Sequence, residues 1–272
     1  MDSRPAIADY HTHTPLCQHA TGEPHEYVRR AFELGLREIG FSDHSPMPAD
    51  DFDDWRMKLE EFPIYLEKVS KAQNKYPNIP VKLGLEVDFF DGEEAWCEKL
   101  AEMADFDYLI GSVHYIAPGW DMDNPKWIGR WKGQAAVEEI WSSYWEIYTR
   151  CVASGLFDIL AHPDLPKKFG FRPEGDLRKY YEPAIEAAAK ADVCFEINTA
   201  GWRKEVKEAY PSLEFLRMAN KAGIPLVISS DAHAPDEVGH RFGDAMTLAR
   251  EAGYSQTALF SKRQRTLIDL LE

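Results

Sequence analysis

Positive charge, paired cysteines and long apolar runs are what this chain has least of. Lys and Arg together number 31 against 46 Asp and Glu, a net charge of −15, so nucleic acid and anionic membrane surfaces are repelled. The same deficit opposes any phosphorylated ligand at long range. An anion site must therefore be made positive locally, by metal ions or by clustered basic side chains. The four cysteines, Cys17, Cys97, Cys151 and Cys194, stand far apart with no CxxC spacing. That argues against a zinc knuckle or a redox pair and for reduced thiols. No run approaches the roughly 18 apolar residues of a membrane span, and Met1 to Tyr10 lacks the basic-then-apolar order of a signal peptide. The expectation is a soluble, cytoplasmic protein.

What is present is a chain of 272 residues, 44% hydrophobic, enough for a sizeable core, and residues 1–272 read as a single domain. Short apolar, β-branched runs alternate with amphipathic stretches, the pattern of repeated βα units. Seven strands are predicted: Ala6–Tyr10, Glu38–Ser42, Val81–Val87, Tyr108–Val113, Asp158–Ala161, Val193–Asn198 and Leu226–Ser230. Gly35, Gly155 and Gly223 sit where helices should end. Tyr144–Val152 and Ala184–Ala191 are rich in helix formers, whereas Pro118–Trp131 holds too many breakers and reads as a long loop. Seven such units predict an α/β barrel related to the eight-fold (β/α) barrel, with a doubly wound open sheet as the alternative.

The polar residues are informative by position. The first strand ends in His11 and His13, the second runs into Asp43 and His44, and the third carries Glu86. The fourth ends at His114, the fifth at His162, and the seventh leads into Asp231 and His233. Seven of the nine histidines, counting His19 in the loop beyond His13, fall with Glu86 and Asp231 at or shortly after strand ends. In parallel α/β folds those ends converge on one face. Alternate residues of an extended segment point the same way, so His11 and His13 can share one ion. Imidazoles mixed with carboxylates suit zinc, iron(II) or manganese. Nine ligands exceed one ion, and a bridging Glu86 with two or three metals would accommodate them.

These residues resemble the PHP (polymerase and histidinol phosphatase) superfamily, and within it the monofunctional histidinol-phosphate phosphatases. The resemblance rests on Asp9-Tyr10-His11-Thr12-His13, Gly40-Phe41-Ser42-Asp43-His44, Gly84-Leu85-Glu86-Val87-Asp88 and Gly111-Ser112-Val113-His114. It continues through Ala161-His162-Pro163-Asp164, Glu196-Ile197-Asn198-Thr199-Ala200-Gly201 and Ser230-Asp231-Ala232-His233. It implies a distorted seven-stranded (β/α)7 barrel with three divalent transition-metal ions. By that resemblance His11, His13, Glu86 and Asp231 hold one ion and Glu86, His114 and His162 a second. His19, His44 and His233 hold the third. The activity it implies is hydrolysis of L-histidinol phosphate, a small phosphorylated metabolite of histidine biosynthesis.

The expected mechanism is in-line attack on phosphorus by a hydroxide bridging two metals, with the metals lowering its pKa to about 7. Glu86, Asp231 and His233 are the catalytic candidates, Asp231 or His233 also for protonating the leaving alkoxide. Arg203, after the Asn198-to-Trp202 segment, is a candidate clamp on phosphate. Lys167 and Lys168, just beyond His162, are further candidates, as is Arg56. Trp120, Trp127, Trp131 and Trp202 are candidate pocket walls, and Asp121 or Asp123 a partner for a substrate ammonium. Cys17 reads as a bystander, and His25 and His240, in helical contexts, as structural. The rival readings are another phosphoesterase of the superfamily, acting on phosphotyrosine or nucleotides, a metal-dependent amidohydrolase, and a non-catalytic domain. Oligomeric state is not legible.

Overall fold

The computed structural model describes residues 7–90 and 92–270; Ala6, at the start of the expected first strand, lies outside them. The apolar runs form two all-parallel sheets. In one, β1 (Ala8–Asp9), β2 (Glu38–Phe41) and β3 (Val81–Leu83) lie in that order. In the other the order is β10 (Leu226–Ser229), β9 (Cys194–Asn198), β8 (Ile159–Leu160), β5 (Ile110–Ser112) and β4 (Glu86–Asp88). Isolated parallel bridges link Thr12 with Ala232 and His44 with Glu86, where the two sheets meet.

Among the described residues seven α-helices run between and after the strands: α1 (Pro24–Glu33), α2 (Phe62–Lys75), α3 (Glu94–Ala101), α4 (Gln134–Ala153), α5 (Arg178–Ala188), α6 (Leu213–Lys221) and α7 (Phe242–Glu251). Their ends follow local chemistry. A Glu23–Glu26 capping box and Pro24 start α1, and the Ser212 hydroxyl caps α6 by accepting from the Phe215 amide. Gly35, Gly155 and Gly223 follow α1, α4 and α6 with φ of 71°, 68° and 76°, a left-handed turn that a Cβ would strain. Among the described residues no helix is long and apolar enough to cross a membrane.

Several boundaries differ from expectation. The run Val81–Val87 divides into β3 and β4 at Gly84 and Leu85, where the chain changes partner from β2 to β5. The Tyr108 ring lies so close there that a Cβ on Gly84 would stand 2.4 Å from it. The stretch Pro118–Trp131 is more ordered than a loop: β6 (Tyr115–Ala117) pairs antiparallel with β7 (Trp120–Asp121), and a 3₁₀ turn covers Pro125–Arg130, capped by the Asn124 side chain. The helix expected over Ala184–Ala191 begins earlier and stops at Ala188. A further hairpin, β11 (Gln256–Ser261) with β12 (Gln264–Asp269), was not among the predicted strands.

Buried apolar side chains fall into two groups. The larger packs the helices on the strands, and the smaller joins Ala8, Tyr10, Tyr108, Ile110, Val227 and Phe260 with four neighbours. Strand β9 shows how alternation serves both and the site: Cys194 joins the smaller group, Phe195 and Ile197 the larger, and Glu196 and Asn198 reach the polar cluster described next. The hairpin β11–β12 adds Ala258 and Phe260 to the smaller group. Arg263 anchors it at Asp107 and Asp158, which precede β5 and β8. It therefore covers the amino ends of the strands, leaving the carboxyl ends to the histidines.

Candidate metal centre

The segment after β1 is held from both sides. The His13 amide donates to the Ala232 carbonyl (3.0 Å), the Ala232 amide to His11 (3.1 Å), and the Ser42 amide to Thr12 (3.0 Å). This extended backbone turns both imidazoles to one side, ring centroids 5.1 Å apart. Glu86 stands at the middle. Its Oε2 lies 2.7 Å from His44 Nδ1, 3.3 Å from His11 Nε2 and 3.8 Å from His13 Nε2. Its Oε1 lies 3.3 Å from His162 Nε2 and 3.8 Å from His114 Nε2. Asp231 Oδ1 is 3.3 Å from His13 Nε2 and 3.5 Å from His233 Nδ1. His19 stacks on His233 with centroids 4.5 Å apart. The Thr21 amide, donating to the His233 carbonyl, ties its loop down.

All nine residues expected as ligands thus meet at the carboxyl ends of the strands. Their ligating atoms form overlapping groups: His11, His13 and Asp231; Glu86, His114 and His162; His13, His44 and His233; and His19 and His233 with Cys17. Cys17, read as a bystander, is fully buried against this last group. His162 and Asp231 adopt positive φ, 25° and 52°, a strain of about 1–3 kcal/mol each that concentrates at sites whose surroundings hold them in place.

A second layer of acids sets the rings, and sequence reasoning gave it no role. His11 Nδ1 pairs with Glu196 Oε1 at 2.8 Å, His114 Nδ1 with Asp88 Oδ1 at 2.7 Å, and His13 Nδ1 with Asp43 Oδ1 at 3.4 Å. Each contact leaves Nε2 facing inward, the arrangement by which outer carboxylates orient metal-binding imidazoles. Glu196 also accepts the His162 amide (2.8 Å), and Asn198 bridges Glu196 and Asp231. The available signal was period two: Glu86 with Asp88, and Glu196 with Asn198, each share one face of a strand.

The cage fits divalent metal by its own chemistry. His11 Nε2, His13 Nε2, His44 Nδ1, Glu86 Oε2, His162 Nδ1 and His233 Nε2 are buried with no hydrogen-bond partner in the protein. Orphaned buried polar atoms are costly; even His44 Nδ1 and Glu86 Oε2, 2.7 Å apart, make no hydrogen bond, and such a set calls for ligands. Burial raises Glu86 and Asp231, yet the surrounding histidines outweigh it and hold both carboxyls well below the usual range. His13 is pushed up to about 9 although burial opposes it, through Asp231 and Asp43; His114 likewise reaches about 9 through Asp88. Burial drives His44 and His233 well down. The cage attracts positive charge but cannot protonate every ring, which is the condition a metal satisfies.

The cage opens into a cavity of about 440 Å³ whose wall includes Trp55, Lys168, Arg203 and Lys204. Arg203 pairs with Glu237 (3.1 Å) and donates Nη2 to the Ser230 and Asp231 carbonyls. Its Nη1 is buried and unpartnered. Lys168 pairs with Asp123 at 2.8 Å. Contrary to expectation Lys167 is not on the cavity: it is fully buried against Asp164 at 3.1 Å, because the 3₁₀ turn Leu165–Phe169 sets successive side chains about 120° apart and so separates it from Lys168. Arg56 is likewise buried behind the site, on Asp53, Asp88 and the Ser45 carbonyl.

The expected aromatic wall also differs. Trp131 is core, Trp202 lies under Arg241, and Trp120 and Trp127 stack with Arg130. The tryptophan on the cavity is Trp55, edge-on to His44 (4.8 Å) and His114 (5.4 Å). Asp121 is occupied by Trp127, Asn124 and Lys126. His25 lies on α1, while His240 stands in the turn before α7, not in a helix.

Comparison with known proteins gives consistent matches. The family model described as PHP domain matches residues 9–200. A "Probable histidinol-phosphatase" of Deinococcus radiodurans is 42% identical over 95% of this chain and 98% of its own. The histidinol-phosphatase of Bacillus subtilis is 26% identical over 86% of this chain and 96% of its own. Among solved structures, histidinol phosphate phosphatase from Lactococcus lactis, complexed with zinc, L-histidinol and phosphate, superposes with a TM-score of 0.78. It is 21% identical and covers 96% of this chain and 98% of that one. At that identity the likeness is one of fold.

Proposed function

The chain belongs to the PHP domain family, among the histidinol-phosphatases, and on that premise we propose that it hydrolyses L-histidinol phosphate to L-histidinol and phosphate. The observation that carries the chemistry is the cage: Glu86 and eight further candidate ligand side chains, six of their buried atoms unpartnered, opening into the cavity that Arg203 flanks. The relative of known structure binds zinc, L-histidinol and phosphate, and the same class of ester suits this cavity.

In this reading three divalent ions occupy the cage. His11, His13, Glu86 and Asp231 hold the first, Glu86, His114 and His162 the second, and His19, His44 and His233 the third. Bound there, such ions supply a water that ionises near neutral pH and positive charge for the phosphate oxygens. Glu196, Asp43 and Asp88 keep the imidazoles aimed inward. Arg203 offers Nη1 to the phosphate while its other nitrogens stay bound to Glu237 and the carbonyls after β10, so it approaches in a set orientation. Lys168, paired with Asp123, adds charge to the same wall. The two parallel sheets, meeting at Thr12–Ala232 and His44–Glu86, are read as one distorted seven-stranded barrel in a single domain. Four buried free thiols agree with work in the reducing cytoplasm.

Two measurements test the proposal. Metal analysis of protein purified without chelator should find three equivalents, and fewer than two would sink the site assignment. Steady-state rates over a panel of phosphate monoesters should rank L-histidinol phosphate above nucleotides and phosphotyrosine peptides. The reverse ranking would move the protein to a different substrate class, and activity on amides alone to a different chemistry.

A further inference from the structure

The charged side chains of the cavity wall nearly all have side-chain partners. Outside the cage, Asp121 is taken by Trp127 (2.6 Å) and Asn124, Asp123 by Lys168 (2.8 Å), and Glu237 by Arg203 (3.1 Å). Two charged side chains of the wall, among the described residues, have no side-chain partner: Asp54 and Lys204. They come from segments far apart in sequence, after β2 and after β9, yet line the same cavity. One is an anion and the other a cation.

Asp54 is exposed, and an exposed carboxylate is ordinarily just solvated. Its segment, however, is fastened on both sides. Asp53 accepts from Arg56 Nε (2.7 Å) and the Tyr115 hydroxyl (2.7 Å). The Trp55 indole donates to the same Tyr115 oxygen (3.1 Å) while standing edge-on to His44 and His114. Asp54 is therefore presented to the cavity by a fixed backbone, beside the ring that borders the cage. Lys204 is half-buried next to Arg203. Burial, then Lys168, lowers its pKa from the ordinary lysine value, and an incoming anion would relieve both effects.

We infer that these two unpaired charges read the two ends of a zwitterionic ester: Asp54 binds the substrate's ammonium group, and Lys204, with Arg203, binds its phosphate. The inference rests on the L-histidinol phosphate reading and extends it by naming what separates that ester from uncharged-alcohol phosphates. Neither residue acts on the reacting bond. Asp54 is the specificity determinant, because a phosphate ester without an amine leaves it solvated and gains nothing from it.

The test uses the metal-loaded enzyme and both products as separate probes. Inhibition by L-histidinol should weaken roughly tenfold in Asp54→Asn, the low end for a charged hydrogen bond because the carboxylate is exposed, while inhibition by inorganic phosphate holds. Lys204→Met should give the mirror image. With substrates, Asp54→Asn should lower kcat/KM for L-histidinol phosphate and spare the same ester lacking its amine. If Asp54→Asn leaves L-histidinol inhibition intact, or if each variant weakens both products equally, the inference is overturned while the activity stands. A wild-type enzyme that hydrolyses L-histidinol phosphate no faster than p-nitrophenyl phosphate overturns the functional reading and this one together.

Discussion

The two ends of the strands treat buried polar groups in opposite ways. At the amino ends, the Tyr10 hydroxyl donates to Glu38 and accepts from the Phe260 amide, Arg263 pairs with Asp158, and the Asp107 carbonyl accepts the Arg263 amide. Each of these groups finds its partner within the protein. At the carboxyl ends, six ring and carboxylate atoms of comparable burial have none. A polar group buried for stability is satisfied internally. One buried for ligand binding is kept aimed and unsatisfied, and the second layer of Glu196, Asp43 and Asp88 does the aiming.

The comparison is sharpest when each end is broken in turn. Glu86→Gln should have the largest effect, lowering turnover roughly 1,000-fold and reducing the metal count, since five of the histidines, His11, His13, His44, His114 and His162, border this carboxylate. Full activity with three metals retained would remove Glu86 from the centre of the scheme. At the other end, Phe260→Ala should cost about 3–5 kcal/mol of stability, read by urea denaturation, with turnover per folded molecule unchanged. A loss of turnover without a loss of stability would mean that the hairpin reaches the site.

Asp88→Asn should weaken metal retention about 10- to 100-fold, measured by competition with a chelator, because His114 loses the anion that orients its Nδ1. Unaltered retention would reduce the second layer to packing. The smallest effect is on pH. In the metal-free protein His13 and His114 are raised to about 9 from 6.5. Their contribution to stability is then fully present below pH 6.5 and lost as pH rises through about 9. Metal-free protein should melt lower at pH 9.5 than at pH 6.5, and metal should narrow the gap by replacing protons as the source of positive charge. A metal-free protein more stable at pH 9.5 would contradict the electrostatics of the cage.

Much of the cage is legible in the sequence. Strands β2, β5 and β8 stop two or three residues before His44, His114 and His162, and His11 with His13 falls just past β1, so each histidine follows a strand end as expected. Lys167 and Lys204 show where legibility stops. Both are lysines shortly after a strand carrying site residues, but one is turned into an ion pair with Asp164 and the other lines the cavity. The tryptophans repeat the lesson: four were candidates for the wall, and Trp55, in a segment stitched to Tyr115, is the one beside it. The β11–β12 hairpin escaped because its partners are remote; Phe260 meets Tyr10 across 250 residues.

By itself the sequence determined which residue types stand at the carboxyl ends of the strands, because strand position and alternation are local properties and parallel strands bring their ends to one face. It thereby determined the ligand chemistry. Tertiary structure alone decided which acid orients which ring, which of two neighbouring lysines faces the cavity, and which wall charges are left unpaired. Those outcomes depend on turn geometry and on contacts between residues distant in sequence, whose directions no local pattern encodes.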